Sequence, residues 1–88
     1  MIELGRLTAT PAALEAMERA GIDPAALLAR HAIGDWGDVS WQGWDLNNSC
    51  LVEGTGSLLS LYPVGEGYVW VWTEWRRKRT TFLMPDEY

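Results

Sequence analysis

The 88-residue chain holds one cysteine, Cys50, and one histidine, His31. A lone thiol forms no internal disulfide, which excludes the cysteine framework that staples small secreted domains. No metal site, cofactor or catalytic triad is expected. No apolar run approaches the roughly 20 residues that span a bilayer. The first residues, Met1-Ile2-Glu3-Leu4-Gly5-Arg6-Leu7, lack the basic start and apolar run of a signal peptide. The expectation is a cytoplasmic protein with no membrane partner. Cations are also few, seven Lys and Arg against twelve Asp and Glu, for a net charge of −5. Neutralising phosphate requires a positive field, so nucleic acid is not expected as the main partner. The acids are scattered from Glu3 to Glu87 without the dense run that a DNA mimic requires.

What the chain does have is tryptophan, six residues of it. A single domain of this size buries only about 60–65% of its unfolded surface. Each indole covers roughly 150–250 Å², so few residues fill a small core or a binding face. Thr10-Pro11 supplies an N-cap and a proline in the first helical turn, and Asp23-Pro24 repeats the signal. Helices are predicted over about 11–20, with Leu14 and Met17 on one face, and over about 24–32. Gly21 and Gly34 end them. Asp35-Trp36-Gly37-Asp38 reads as a turn. Trp41, Trp44, Asn48 and Leu51 then fall at helical spacing, although Gly43 and Asn47-Asn48-Ser49 are poor helix formers.

Segments 57–64, 68–75 and 80–85 are rich in aromatic and β-branched residues, which predicts strands. The fold class expected is α+β, with two or three N-terminal helices on a three-stranded antiparallel meander and room for a short N-terminal strand. With Gly65-Glu66-Gly67 and Arg76–Arg79 as loops, Val64 faces Tyr68 and Trp75 faces Thr80. That register gathers Leu59, Leu61, Val69, Val71, Thr73, Phe82 and Met84 on one aliphatic face beneath the helices. Leu58, Ser60, Tyr62, Trp70, Trp72, Glu74, Thr81 and Leu83 take the opposite face. A slip of one residue would exchange the faces.

Several blocks resemble a family of small proteins of bacterial plasmids, prophages and integrative elements. They are Thr10-Pro11-x-Ala13-Leu14, Leu28-x-Arg30-His31-x-x-Gly34-Asp35-Trp36-Gly37, Asp45-x-x-Asn48, Leu59-Ser60-x-Tyr62, Thr73-Glu74 and Thr80-Thr81-x-Leu83-x-Pro85-x-Glu87-Tyr88. Members are labelled plasmid-related or attached to restriction systems. The resemblance implies a mobile-element setting rather than an activity, and it favours a helix over 40–52.

Three candidate sites follow. Tyr62, Trp70 and Trp72 offer roughly 450–750 Å² at about 150–250 Å² each, against about 300–600 Å² for the largest apolar patch of a typical monomer. Either the third helix covers that face or another chain does. With Glu74, Trp75, Arg76, Arg77 and Arg79 beside it, the face suits a partner-binding surface. The partner expected for such cargo is a host defence protein or complex, a CRISPR effector or restriction enzyme, blocked by occlusion. A homodimer is an alternative. The second candidate is enzymatic, a small barnase- or RelE-like ribonuclease with Glu74 as base and Arg77 or Arg79 holding phosphate, joined by His31. His31 otherwise reads as a helix-end residue packing on Trp36, where the helix dipole favours its protonated form. The third is the Arg76–Arg79 cluster, which either touches phosphate beside a stacking Trp75 or is simply a solvated turn.

Overall fold

Local capping chemistry sets the helices. In the computed structural model, which describes residues 2–88, the Thr10 hydroxyl accepts from the Ala13 amide (3.2 Å) and starts α1, Pro11–Arg19. The Asp23 carboxylate accepts from Ala25 N (3.0 Å) and starts α2, Pro24–Ala32. Ser40 caps Gly43 N (3.1 Å) and starts α3, Trp41–Glu53, which Gly54 ends in the left-handed region. Each cap satisfies a donor that the first helical turn leaves open.

Four strands form one mixed sheet in the order β1-β4-β3-β2: β1 Arg6–Ala9, β2 Leu58–Val64, β3 Gly67–Thr73 and β4 Arg79–Leu83. The expected three-stranded meander is therefore extended, because β1 pairs parallel with β4. A single 3-10 turn, Pro85–Glu87, follows β4.

The register corrects the expected faces. The first hairpin closes at Val64↔Gly67, leaving a two-residue Gly65–Glu66 turn with Gly65 at φ 61°. Tyr62 then faces Val69 rather than Trp70, and Ser60 faces Val71 rather than Trp72. One residue changes parity, so β2 is turned over relative to the expected arrangement. Thr73 faces Thr80 rather than Phe82, a slip of two that preserves parity, so Val71 and Phe82 still share a face. Leu58, Ser60, Tyr62 and Val64 lie inward beside Val69, Val71, Thr73, Thr80 and Phe82, all buried. Leu59 and Leu61 lie outward beside Trp70 and Trp72. Ser60 and Thr81 accordingly lie on opposite faces.

Ala13 and Met17 of α1 and Leu27 of α2 pack with Tyr62, Val64, Val69, Val71 and Phe82 into the main core. Leu14, expected inward, is half exposed, because Ala13 and Met17 occupy the i, i+4 positions facing the sheet. A second cluster joins Ile2, Trp36 and Leu58, flanked by Leu4, Val39, Trp44 and Cys50.

α3 closes one end of the sheet through a side chain. Asn47, 5% exposed, donates Nδ2 to Leu59 O (2.9 Å) and accepts from Leu59 N (3.1 Å), taking the place of a fifth strand at that residue. Two residues on, Leu61 N donates to Trp36 O (3.0 Å) and Asp38 N to Leu61 O (2.7 Å). The β2 edge, otherwise a template for foreign strands, is sealed at both residues. Asn47→Ala leaves the Leu59 amide and carbonyl without partners, and is expected to cost about 1–3 kcal/mol. Urea unfolding of the variant measures the cost, and accelerated exchange of the Leu59 amide locates it.

Candidate functional site

On the inner face a chain of polar groups crosses the molecule. His31 Nδ1 lies 2.5 Å from Ser60 Oγ and Nε2 lies 2.8 Å from Thr73 Oγ1. Thr73 Oγ1 lies 2.7 Å from Thr80 Oγ1, which donates to the Leu4 carbonyl at 2.7 Å. A carbonyl only accepts, so the proton order is fixed from that end. Thr80 donates to Leu4, Thr73 to Thr80, His31 Nε2–H to Thr73, and Ser60 to His31 Nδ1. The Leu4 end fixes Nε2 as a donor, and burial, which keeps the ring neutral, leaves Nδ1 as the acceptor.

His31, Ser60, Thr73 and Thr80 are all 0% exposed. Burial, with the nearby Arg77 charge adding to it, lowers the His31 pKa from 6.5 to about 4. Desolvation therefore outweighs the helix-end dipole expected to favour the charged ring. Asp35 does not pair with His31. It takes both Nε (2.8 Å) and Nη2 (3.3 Å) of Arg30, which holds its carboxyl below the usual range, and its Oδ1 also accepts from Gly37 N. His31 instead meets Trp36 edge to face, ring centres 5.5 Å apart.

Of the ribonuclease candidates, Glu74 and Arg79 lie side by side at the β3–β4 turn, whereas His31 is buried and Arg77 is committed to carbonyls. Arg77 donates Nη1 to the carbonyls of Gly56 (2.7 Å), Glu74 (3.3 Å) and Trp75 (3.2 Å), and Nη2 to Cys50 O (3.4 Å). It secures the C-terminal end of α3, and its backbone sits at φ 59°. Glu74 lies in the same turn, its amide donating to Arg79 O. Neither a solvent-accessible imidazole nor an uncommitted Arg77 stands ready to work with Glu74.

Tyr62 leaves the proposed binding face altogether. It is 0% exposed on the inner side; its hydroxyl donates to Asp35 O (2.6 Å) and the Arg30 guanidinium lies 4.5 Å from its ring centre. Burial pushes its pKa up to about 12. Trp70 and Trp72 do lie outward, partly buried with Leu59, Leu61 and Thr81. Tyr88 lies against them. Its ring stacks on Trp70 (5.8 Å) and meets Trp72 edge to face (6.2 Å). Glu87 anchors the cover by accepting from Thr10 Oγ1 (2.7 Å) and Met84 N (2.8 Å). Trp72 Nε1 is buried and meets no hydrogen-bond acceptor among the described residues.

Comparison with family models, curated proteins and solved structures finds no match. Among the described residues no helix is long and apolar enough to cross a membrane, and no cluster of three or more His, Cys, Asp or Glu is arranged to hold a metal ion.

The open apolar surface lies beside the covered one. Tyr88, Trp70, Leu59 and Leu61 form one wall of a groove of about 340 Å³, and Val39, Gly43 and Leu46 of the α3 side form the other. α3 turns only Asn47 fully inward, with Gly43, Trp44 and Cys50 half-buried. Its remaining surface exposes Trp41 (73%), Leu46 (65%) and Val52 (87%). The helical spacing of Trp41, Trp44, Asn48 and Leu51 finds the helix but not the face it turns inward, since of the four only Trp44 is half-buried. Asn47, drawn to the open strand edge, sets the rotation. Leu46, Leu59, Leu61 and Tyr88 were not singled out from sequence, and the signal that could have found the two β2 leucines is the shorter hairpin turn.

Proposed function

We propose that this protein is a binding module that inhibits another protein by occlusion, docking through the outer face of α3 and the adjoining groove. The observation that carries the reading is the exposure of Trp41, Leu46 and Val52 on a helix that has apolar residues to spare and turns them to solvent. Exposed apolar patches of this kind mark docking surfaces, with tryptophan the usual anchor. No Lys or Arg occurs between Arg30 and Arg76, whereas Asp45 and Glu53 lie on the outer face of α3 among its apolar residues and Asp38 lines the groove. The complementary partner surface is apolar with a basic rim, and rim charges of this kind set orientation and association rate more than affinity. The resemblance to mobile-element proteins supplies the setting, in which a host defence protein, a CRISPR effector or restriction enzyme, is the target.

The test is a tagged pull-down from nuclease-treated lysate of bacteria carrying both systems. Wild type is expected to retain one stoichiometric protein that Trp41→Ala/Leu46→Ala loses, with the circular dichroism of the two chains superimposable. Retention by that variant, with loss in Trp70→Ala/Trp72→Ala, would move the anchors to the sheet. If wild type has the mass of a dimer and Trp41→Ala/Leu46→Ala that of a monomer, the face joins two copies of this chain.

A further inference from the structure

The charge is not spread evenly over the fold. Of the seven Lys and Arg, Arg19 pairs with Glu15 and Arg30 with Asp35. The other five lie at one end of the sheet. Three come from the β3–β4 turn, Arg76 to Lys78, and Arg79 opens β4. The fifth, Arg6, is far away in sequence and arrives through the parallel pairing of β1 with β4, which sets Arg6 opposite Arg79 and bonds Arg6 N to Lys78 O (2.9 Å). Among the described residues none of the five has a carboxylate within salt-bridge distance. Arg77 is committed to four carbonyls and holds the turn in shape, leaving Arg6, Arg76, Lys78 and Arg79 exposed around it. Trp75, 54% exposed, stands in the same turn with the Arg76 guanidinium 4.7 Å from its ring centre.

We propose that this end of the sheet is a contact surface for single-stranded nucleic acid, with Arg6, Arg76, Lys78 and Arg79 on phosphates and Trp75 against a base. The net charge of −5 does not oppose it. Glu66, in the β2–β3 turn, and Asp86 and Glu87, beyond the end of β4, lie at the other end of the strands. A seven-residue strand separates the ends by roughly 20 Å, beyond the Debye length of about 8 Å at physiological salt. Glu3 and Glu74 are near along the chain, and Glu53 ends α3, whose Cys50 carbonyl Arg77 holds, so five cations stand against three. Guanidinium groups suit phosphate because their planar forks engage two oxygens at once. An acidic peptide would satisfy the charge alone. It would leave unused the exposed indole, whose ring is a platform for any base.

The surface is independent of the α3 face, so each can fail alone. The experiment is fluorescence anisotropy of a labelled oligothymidylate of about 20 nucleotides, titrated with the full chain at several salt concentrations. Wild type is expected to bind with log K falling against log salt at a slope of about −2 to −3, as three or four phosphate contacts on a single strand require. Arg6→Glu/Arg79→Glu should weaken binding at least about tenfold and flatten the slope. Trp75→Leu should weaken it about fivefold or more with the slope kept. Trp41→Ala/Leu46→Ala should bind like wild type. Lys78→Glu, an exposed single change, repeats the charge test should the double variant not fold. Absence of binding at low salt, indifference to the charge reversals, or equal competition by polyglutamate of matched length would each overturn the assignment.

Discussion

Acidification from pH 6.5 towards 4 is expected to remove about 3 kcal/mol of folding stability through His31 alone. The ring is buried, neutral and hydrogen-bonded at both nitrogens, and its pKa is lowered from 6.5 to about 4. An unfolded chain gains the imidazole proton near pH 6.5 while the folded one refuses it until about 4. Across that window the unfolded state binds more protons, so stability falls as pH falls. The contribution is complete above 6.5 and gone below about 4. A small domain holds only about 5–15 kcal/mol in total, so the loss is large.

Carboxylates do not mimic the effect. Asp35, held down by Arg30, and Glu87, held down by the Met84 amide, lose their stabilising bonds only as pH passes below their ordinary values of 3.8 and 4.5. Urea titrations at pH 7, 6 and 5 therefore isolate the imidazole. His31→Gln should be less stable than wild type at pH 7, by on the order of 1–3 kcal/mol for imperfectly met partners, yet nearly flat over the same range. A wild-type protein equally stable at pH 7 and 5 would mean that the folded imidazole accepts a proton freely, contrary to the buried chain from Ser60 to Leu4.

What could be read in the sequence is what is decided locally. Thr10-Pro11 and Asp23-Pro24 announce their helices because a cap and its first turn lie within four residues. Ser40 carries the same kind of signal ahead of α3. The facing of β2 was not legible, because Gly65-Glu66-Gly67 accommodates either a two- or a three-residue turn and the alternatives differ by one pleat. Everything downstream of that choice moved with it, including the burial of Tyr62 and the union of Leu59 and Leu61 with Trp70. Asn47 reads as a poor helix residue, and its use emerges only when an open strand edge lies alongside. Arg6 joins Arg79 through a parallel pairing 73 positions apart, which no window of sequence contains. His31 on Trp36 was legible by proximity. Its partners Ser60 and Thr73, on two strands, were not.

Two glycines in one short stretch make the last prediction, and they separate backbone strain from steric exclusion. Gly34 and Gly37 both occupy the left-handed region, at φ 82° and 75°. A methyl group at Gly34 would meet only the Trp36 ring at 3.7 Å, ordinary contact. At Gly37 it would overlap the Leu61 carbonyl, the backbone acceptor of the Asp38 amide on the edge of β2, and crowd Tyr62. Gly34→Ala should therefore cost about 1–2 kcal/mol, the left-handed penalty alone. Gly37→Ala should add to that the two hydrogen bonds between residues 36–38 and Leu61, about 1 kcal/mol each. It also loosens Trp36, which is 0% exposed and anchors the second core cluster. The expected total is about 3–5 kcal/mol, in the range of a large core truncation. Urea unfolding of the two alanine variants measures the difference. Near-equal costs would show that the 36–38 segment can lift away from β2 cheaply, and the seal on that edge would then rest on Asn47.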